Sequence, residues 1–90
     1  MTTKLLLITV SGRVQNVGFR YATKKTADKL NIKGFVKNTP NRTVYIEAEG
    51  EEKSLNKFLL WCYQGPSWAY VENVKTQEAP LQHFKNFRIL

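Results

Sequence analysis

The pattern of hydrophobic residues first predicts a strand and then a helix. Residues 5–10 are apolar on both alternating faces apart from Thr9, as in a strand with neighbours on both edges. After a polar loop, apolar and small residues recur at the spacing of one helix face. That face would consist of Phe19, Ala22, Thr23, Thr26, Ala27 and Leu30. We interpret the charged opposite side as solvent-exposed surface: Lys24, Lys25, Asp28 and Lys29.

The middle of the chain predicts a hairpin. Residues 35–38 form a short strand that ends before Pro40, because proline cannot donate a hydrogen bond to a sheet. Residues 43–48 alternate between core-facing and water-facing positions, which predicts a second strand. The residues between them, 39–42, have the composition of a turn, so the two strands should pair as neighbours.

A second helix is predicted next. Gly50 should begin it, with Glu51 and Glu52 in the first turn, where the helix dipole favours acidic residues. Gly65 and Pro66 should end it. Its buried stripe would consist of Leu55, Phe58, Leu59 and Cys62. We interpret the aromatic residues around its end as a packing cap, with an interaction patch as the alternative: Trp61, Tyr63 and Trp68.

Two more strands complete the predicted fold. Residues 69–74 alternate imperfectly, which suggests a bulge, and residues 84–90 predict a last strand at a sheet edge. The order βαββαβ plus a short C-terminal edge strand is that of a ferredoxin-like α/β sandwich, in the α+β class. We therefore expect a single domain, residues 1–90, with two helices on one face of a mainly antiparallel sheet.

Composition narrows the possible partners. The chain has 14 basic and 7 acidic residues, and a net charge of +7 attracts phosphorylated or polyanionic molecules. Because one cysteine and one histidine cannot build a metal site or an internal disulfide, we assign Cys62 to the core and His83 to a loop. No apolar run approaches the roughly 20 residues of a membrane span, and a secretory signal is lacking. We therefore expect no membrane association and a cytoplasmic location.

The loop between the first strand and the first helix is the candidate for chemistry. Residues 11–20 combine glycines and two arginines with a helix start, where unpaired N–H groups and the helix dipole favour a bound anion. Arg20 adds a planar guanidinium that can hold two oxygens of a phosphate or carboxylate. We interpret Arg13 as a loop anchor or rim residue.

Three motifs resemble those of the acylphosphatase family. They are Gly12-Arg13-Val14-Gln15-Asn16-Val17-Gly18-Phe19-Arg20, Gly34-Phe35-Val36-Lys37-Asn38-Thr39-Pro40 and Gly65-Pro66, and the likeness extends over residues 5–89. The resemblance implies a hydrolase that cleaves the carboxyl-phosphate anhydride bond of acyl phosphates, giving a carboxylate and inorganic phosphate, by means of a positioned water. It implies no cofactor and no metal, and a small-molecule acyl phosphate as substrate. Inorganic phosphate would be product and competitive inhibitor, and we expect a monomer.

The resemblance also implies roles for individual residues. By position in the motifs, Arg20 would hold the phosphate and Asn38 would place the attacking water. The phosphate-binding loop, with its backbone N–H groups, would consist of Gln15, Asn16, Val17, Gly18, Phe19 and Arg20. Since neither motif contains a histidine or a carboxylate, we expect the substrate's own phosphate to accept the proton of the water.

Two positions depart from the family's pattern. Asn16 and Arg42 stand where the family usually has glycine, the residue that adopts positive φ most readily. Asparagine tolerates positive φ best among the other residues, so we expect Asn16 to preserve the loop shape at some strain. In the second turn we expect a shift that gives the left-handed conformation to Asn41 instead of Arg42.

Two alternatives to this interpretation remain. Ferredoxin-like sheets also form RNA-recognition domains, and Lys33-Gly34-Phe35-Val36-Lys37 begins like their aromatic signature. That segment follows the first helix, however, and the third strand offers only Tyr45. A basic nucleic-acid-binding module without catalytic activity is therefore the second choice. The third is the acylphosphatase-like N-terminal part of hydrogenase-maturation carbamoyltransferases, a larger context that a chain of 90 residues disfavours.

Overall fold

A computed structural model describes residues 2–90 as five strands and two helices. The chain runs β1 (Thr3–Arg13), α1 (Phe19–Lys29), β2 (Lys33–Asn38), β3 (Val44–Glu51), α2 (Glu52–Gln64), β4 (Tyr70–Ala79) and β5 (Phe87–Ile89). The strands form a sheet in the order β4-β1-β3-β2-β5, in which β2 and β5 are parallel and the other neighbours antiparallel. The predicted ferredoxin-like α+β fold, with β1 inside the sheet and β5 at an edge, is confirmed.

The core lies between the helices and one sheet face. Ile8 of β1 pairs with Ile46 of β3, and both are fully buried. The predicted helix faces are confirmed, since the buried residues are Phe19, Thr23 and Ala27 in α1 and Leu55, Phe58 and Cys62 in α2. The Thr23 hydroxyl donates to the main-chain oxygen of Phe19 at 2.7 Å, which satisfies a polar group inside this core.

The second helix begins later than the sequence pattern predicted. Gly50 and Glu51 belong to β3, because they pair with Lys4 and Thr3 of β1. The helix begins at Glu52, whose N–H donates to the main-chain oxygen of Thr2 at 2.9 Å. Pairing with a distant strand therefore overrides the helix-start signal of the glycine and the acids.

The connection from β4 to β5 crosses the sheet on the face opposite the helices. These two strands lie at opposite edges, so residues 80–86 must pass over the strands between them. Glu49 of β3 holds this crossing, because its carboxylate accepts hydrogen bonds from the N–H groups of Gln82, His83 and Phe84 at 2.7, 3.1 and 2.8 Å. The last strand is consequently shorter than predicted, since residues 84–86 belong to the crossing.

Strand β4 carries the predicted bulge. Ser11 pairs with Asn73 while Gly12 pairs with Val71, so Glu72 is the extra residue. The backbone approaches closely here: a Cβ on Gly12 would lie 2.2 Å from the main-chain oxygen of Tyr70, so this position requires glycine. The strand also continues to Ala79, further than the imperfect alternation predicted.

The interpretation of three aromatic residues as one packing cap is wrong for two of them. The Trp61 ring packs against Phe19 and Phe58, at centroid distances of 5.4 and 6.3 Å. Tyr63 and Trp68 are 59% and 80% exposed. Tyr63 follows the last residue of the buried helix stripe and so points away from it, and Trp68 lies beyond the helix end.

Candidate active site

The loop after β1 turns into α1 through two residues with positive φ. Asn16 has a φ of 61°, so the predicted left-handed conformation is confirmed, and Gly18 has a φ of 78°. Gly18 is the N-cap of α1, and among residues 2–90 no side chain makes a capping hydrogen bond there. The N–H groups of the first helical turn therefore remain for an acceptor from outside the protein.

Gln15 joins this loop to the turn between β2 and β3. Its side-chain Nε2 donates to the main-chain oxygens of Thr39 and Thr43, both at 2.9 Å. The Thr39 N–H in turn donates to the Thr43 oxygen at 3.0 Å. One amide therefore holds both ends of the turn that follows Asn38. From the sequence, only the backbone N–H of Gln15 was assigned to the site. The side-chain contacts could not be predicted, because the two acceptors lie 24 and 28 residues away in the sequence.

A small cavity lies between the loop and the end of β2. Its volume is about 180 Å³, which leaves room for a phosphoryl group with a water. Arg20 and Asn38 both line it, so the structure brings together the two residues proposed from the motifs. Tyr21 of α1 and Ile89 of β5 also line the cavity. Sequence reasoning missed Tyr21 because the motif ends at Arg20, and it missed Ile89 because β5 reaches the site only through tertiary packing.

Arg20 is exposed at the start of α1 and is held from one side by the chain after β5. Its Nη1 donates to the main-chain oxygen of Leu90 at 3.2 Å. Leu90 is itself placed by its N–H, which donates to the Val36 oxygen at 2.9 Å. The edge of the sheet therefore orients the guanidinium of Arg20, a residue that also lines the cavity.

Asn38 places a buried oxygen in the site. It is the last residue of β2, opposite Val44 in the ladder. The side-chain Oδ1 is buried, and within residues 2–90 no group donates a hydrogen bond to it. Leaving a buried acceptor unpaired costs about 1–3 kcal/mol, so this oxygen favours a donor from outside the protein.

The turn after Asn38 differs from the expectation. Arg42, and not Asn41, takes the left-handed conformation, with a φ of 69°. The reason is local hydrogen bonding: the Asn41 side-chain oxygen accepts from the hydroxyls of Thr39 and Thr43. The Arg42 N–H also donates to the Thr39 oxygen at 3.2 Å. These bonds hold Asn41 in its place and leave the strained position to the arginine.

Other reactive groups lie outside this cavity. Cys62 is fully buried, and burial raises the pKa of its thiol to about 12, so it stays protonated and unreactive at neutral pH. His83 is exposed in the crossing segment. In the described part of the chain, no three His, Cys, Asp or Glu side chains are grouped so that they could hold a metal ion. None of the described helices is long and apolar enough to cross a membrane.

The chain is similar to known proteins over nearly its whole length. The family model for acylphosphatase matches residues 6–89. An acylphosphatase from Archaeoglobus fulgidus is 48% identical over 84 residues, which cover 93% of this chain and 94% of the relative. The crystal structure of acylphosphatase from Bacillus subtilis is similar at a TM-score of 0.95 and 36% identity, covering 97% and 98% of the two chains.

The same fold also occurs within a larger protein. In the crystal structure of full-length HypF in its phosphate- and nucleotide-bound form, the match has a TM-score of 0.89 and 32% identity. It covers 99% of this chain but 12% of that one, whereas the relative from Archaeoglobus fulgidus has nearly the same length as this chain. On its motifs, its fold and these similarities, the chain belongs to the acylphosphatase family.

Proposed function

We propose that the protein hydrolyses the carboxyl-phosphate anhydride bond of small acyl phosphates, with Arg20 and Asn38 as its catalytic residues. The observation that carries this proposal is that Arg20 and Asn38 line the same cavity, at the N-terminus of α1. Phosphoryl transfer needs a stabilised phosphoryl charge and a positioned nucleophile, and these two side chains suit those tasks. Membership of a family of acyl phosphate hydrolases supports the same reaction.

The phosphoryl group would bind at the N-terminus of α1. Its non-bridging oxygens would accept hydrogen bonds from the Arg20 guanidinium and from backbone N–H groups of residues 15–20. Donors held in place before the reaction stabilise the developing charge without reorganisation. The net charge of +7 also raises the local concentration of an anionic substrate.

The water would be held by the side-chain amide of Asn38 and would attack phosphorus with its oxygen. The bond between phosphorus and the acyl oxygen breaks, and the carboxylate leaves with the bonding electron pair. A neutral amide is no base, so the proton of the water passes to a phosphoryl oxygen and the product is dihydrogen phosphate. Carboxylic acids have pKa values near ~4, so the leaving group needs no protonation.

Hydrolysis of benzoyl phosphate by the purified protein tests this proposal. We expect turnover by the wild type, competition by inorganic phosphate, and strong loss of turnover in Arg20→Ala and Asn38→Ala. Tight binding of RNA without any hydrolysis of benzoyl phosphate would instead favour the nucleic-acid-binding alternative.

The monomer and the cytoplasmic location expected from the sequence stay predictions. Sedimentation at the enzyme concentration of the assay would check the first. Fractionation of the source cells would check the second.

A further inference from the structure

A second cleft opens beside the cavity of Arg20 and Asn38. It has a volume of about 390 Å³ and is lined by Gly12, Arg13, Val14, Gln15, Asn16 and Arg42. Val14 and Asn16 line both spaces, so the two lie next to each other along one loop. A molecule with its phosphoryl group in the first cavity would reach the second along the part of the loop that Val14 and Asn16 form.

Arg13 and Arg42 bring two positive charges to this cleft. Both side chains are exposed, and in residues 2–90 neither forms an ion pair with an acidic group. Glu72 is near, since its Cγ lies 3.3 Å from where a Cβ on Gly12 would be, yet its carboxylate pairs with neither arginine. Like charges at one cleft repel each other, and a bound anion would relieve that repulsion.

The turn after Asn38 holds Arg42 at the edge of this cleft. Its φ of 69° follows from the hydrogen bonds of that turn, and glycine would adopt the same φ freely. The guanidinium group, with its planar fork of donors, suits a carboxylate or a phosphate.

We propose that Arg13 and Arg42 form a second anion subsite, which binds a negatively charged group at the far end of the acyl chain. This inference rests on the proposed function, because the acyl phosphate group itself must occupy the cavity of Arg20 and Asn38. The substrate class that it selects is acyl phosphates with a second anionic group, either a carboxylate or a phosphate.

Three matched probes test the subsite: benzoyl phosphate, 3-carboxybenzoyl phosphate and 3-phosphonobenzoyl phosphate. We expect the wild type to hydrolyse at least one charged probe with a kcat/KM about tenfold above that of benzoyl phosphate, the size of one charge-assisted contact. The preference should decrease as salt is added, because both arginines are exposed. The charged probe with the higher kcat/KM shows whether the subsite prefers a carboxylate or a phosphate as the second anionic group.

Arg42→Gly is the decisive variant, because glycine adopts the local backbone conformation without strain and the fold should be preserved. We expect Arg42→Gly and Arg13→Gln each to reduce the ratio of charged-probe to benzoyl phosphate kcat/KM by about tenfold. The control is Lys57→Gln, which removes the same charge from an exposed position on α2 and should keep the ratio.

The outcomes separate the subsite from the reaction. If the wild type hydrolyses all three probes equally well, or if both arginine variants keep the preference, the subsite is wrong and the proposed function stands. If benzoyl phosphate and both charged probes are left intact, the proposed function fails and the subsite fails with it.

Discussion

The side-chain amide of Gln15 lies 2.9 Å from the main-chain oxygen of Thr39, and at the same distance from that of Thr43. Through this contact the loop after β1 is bound to both ends of the turn after β2. Arg20 follows that loop and Asn38 precedes that turn, so their separation depends on a residue whose side chain takes no part in the proposed reaction.

Gln15→Glu should therefore damage both stability and turnover. An ionised glutamate keeps the shape of glutamine but donates no hydrogen bond, so it would face two carbonyl oxygens without bonding to either. We expect a loss of about 1–3 kcal/mol in the free energy of unfolding at pH 7, measured by urea denaturation, together with a lower kcat. Gln77→Glu, at an exposed position in β4, is the control. Unchanged stability in Gln15→Glu would show that the contact does not hold the site together.

Asn38→Ala should lower turnover without weakening phosphate binding. The residue is proposed to bind the water and not the anion, so kcat for benzoyl phosphate should decrease on the order of 10²-fold, as for the loss of one positioned polar group. The inhibition constant of inorganic phosphate should stay nearly unchanged. Asn56→Ala, on the exposed surface of α2, should affect neither value. A comparable loss of phosphate binding would instead place Asn38 in the anion site or in loop structure.

Arg20→Ala should abolish stabilisation by inorganic phosphate. A ligand that binds only the folded protein stabilises it by about 2.7 kcal/mol at a hundred times its dissociation constant, which raises the Tm. Differential scanning fluorimetry with increasing phosphate would show this rise in the wild type and in Lys25→Ala, a change on the exposed side of the same helix. A rise of the same size in Arg20→Ala would move the anion site elsewhere.

Substitutions at Asn16 report on the shape of the phosphate loop. Its φ of 61° carries a strain of about 1 kcal/mol that glycine relieves, although glycine also gains freedom in the unfolded chain. Asn16→Gly should therefore change the free energy of unfolding little and keep or raise the phosphate affinity. Asn16→Val should be clearly worse in both measurements, because a β-branched side chain resists positive φ. Equality of valine and asparagine would contradict the loop conformation described above.

Glu49 should make stability depend on pH in the acid range. Burial by itself raises the pKa of its carboxyl. The three N–H donors from the crossing segment and the nearby His83 lower that pKa by more than burial raises it, so the net pKa is below the usual 4.5. A lowered folded-state pKa means that this carboxylate stabilises the fold above about pH 4.5 and that its contribution is lost as the pH falls further.

Unfolding in urea from pH 7 to pH 3 would test this dependence. We expect Glu49→Gln to be less stable than the wild type at pH 7 and to lose less stability on acidification. Glu51→Gln, at an exposed position two residues away, should follow the wild type. Parallel curves for Glu49→Gln and the wild type would show that the crossing does not depend on this charge.

The sequence by itself determined the helix faces, the bulge in β4 and most of the candidate loop, although residues 11–13 of the predicted loop belong to β1. Burial of one face imposes a period on the sequence, so Phe19, Thr23 and Ala27 could be identified as core residues without any tertiary information. The left-handed conformation of Asn16 was also predictable, because the family usually has glycine at this position and asparagine tolerates positive φ best among the other residues. Arg20 and Asn38 were found because they lie in short motifs, and the structure then placed both on one cavity.

Only the tertiary structure decided where β3 ends, how the crossing is held and what orients the site. Gly50 and Glu51 became strand residues through pairing with β1, and Glu49 became an anchor because residues 82–84 pass over it. The contacts of Gln15 and Arg20 join residues that lie 24 to 70 positions apart. Such pairs cannot be recognised from a local stretch of sequence, because the residues come together only when the strands pair into a sheet.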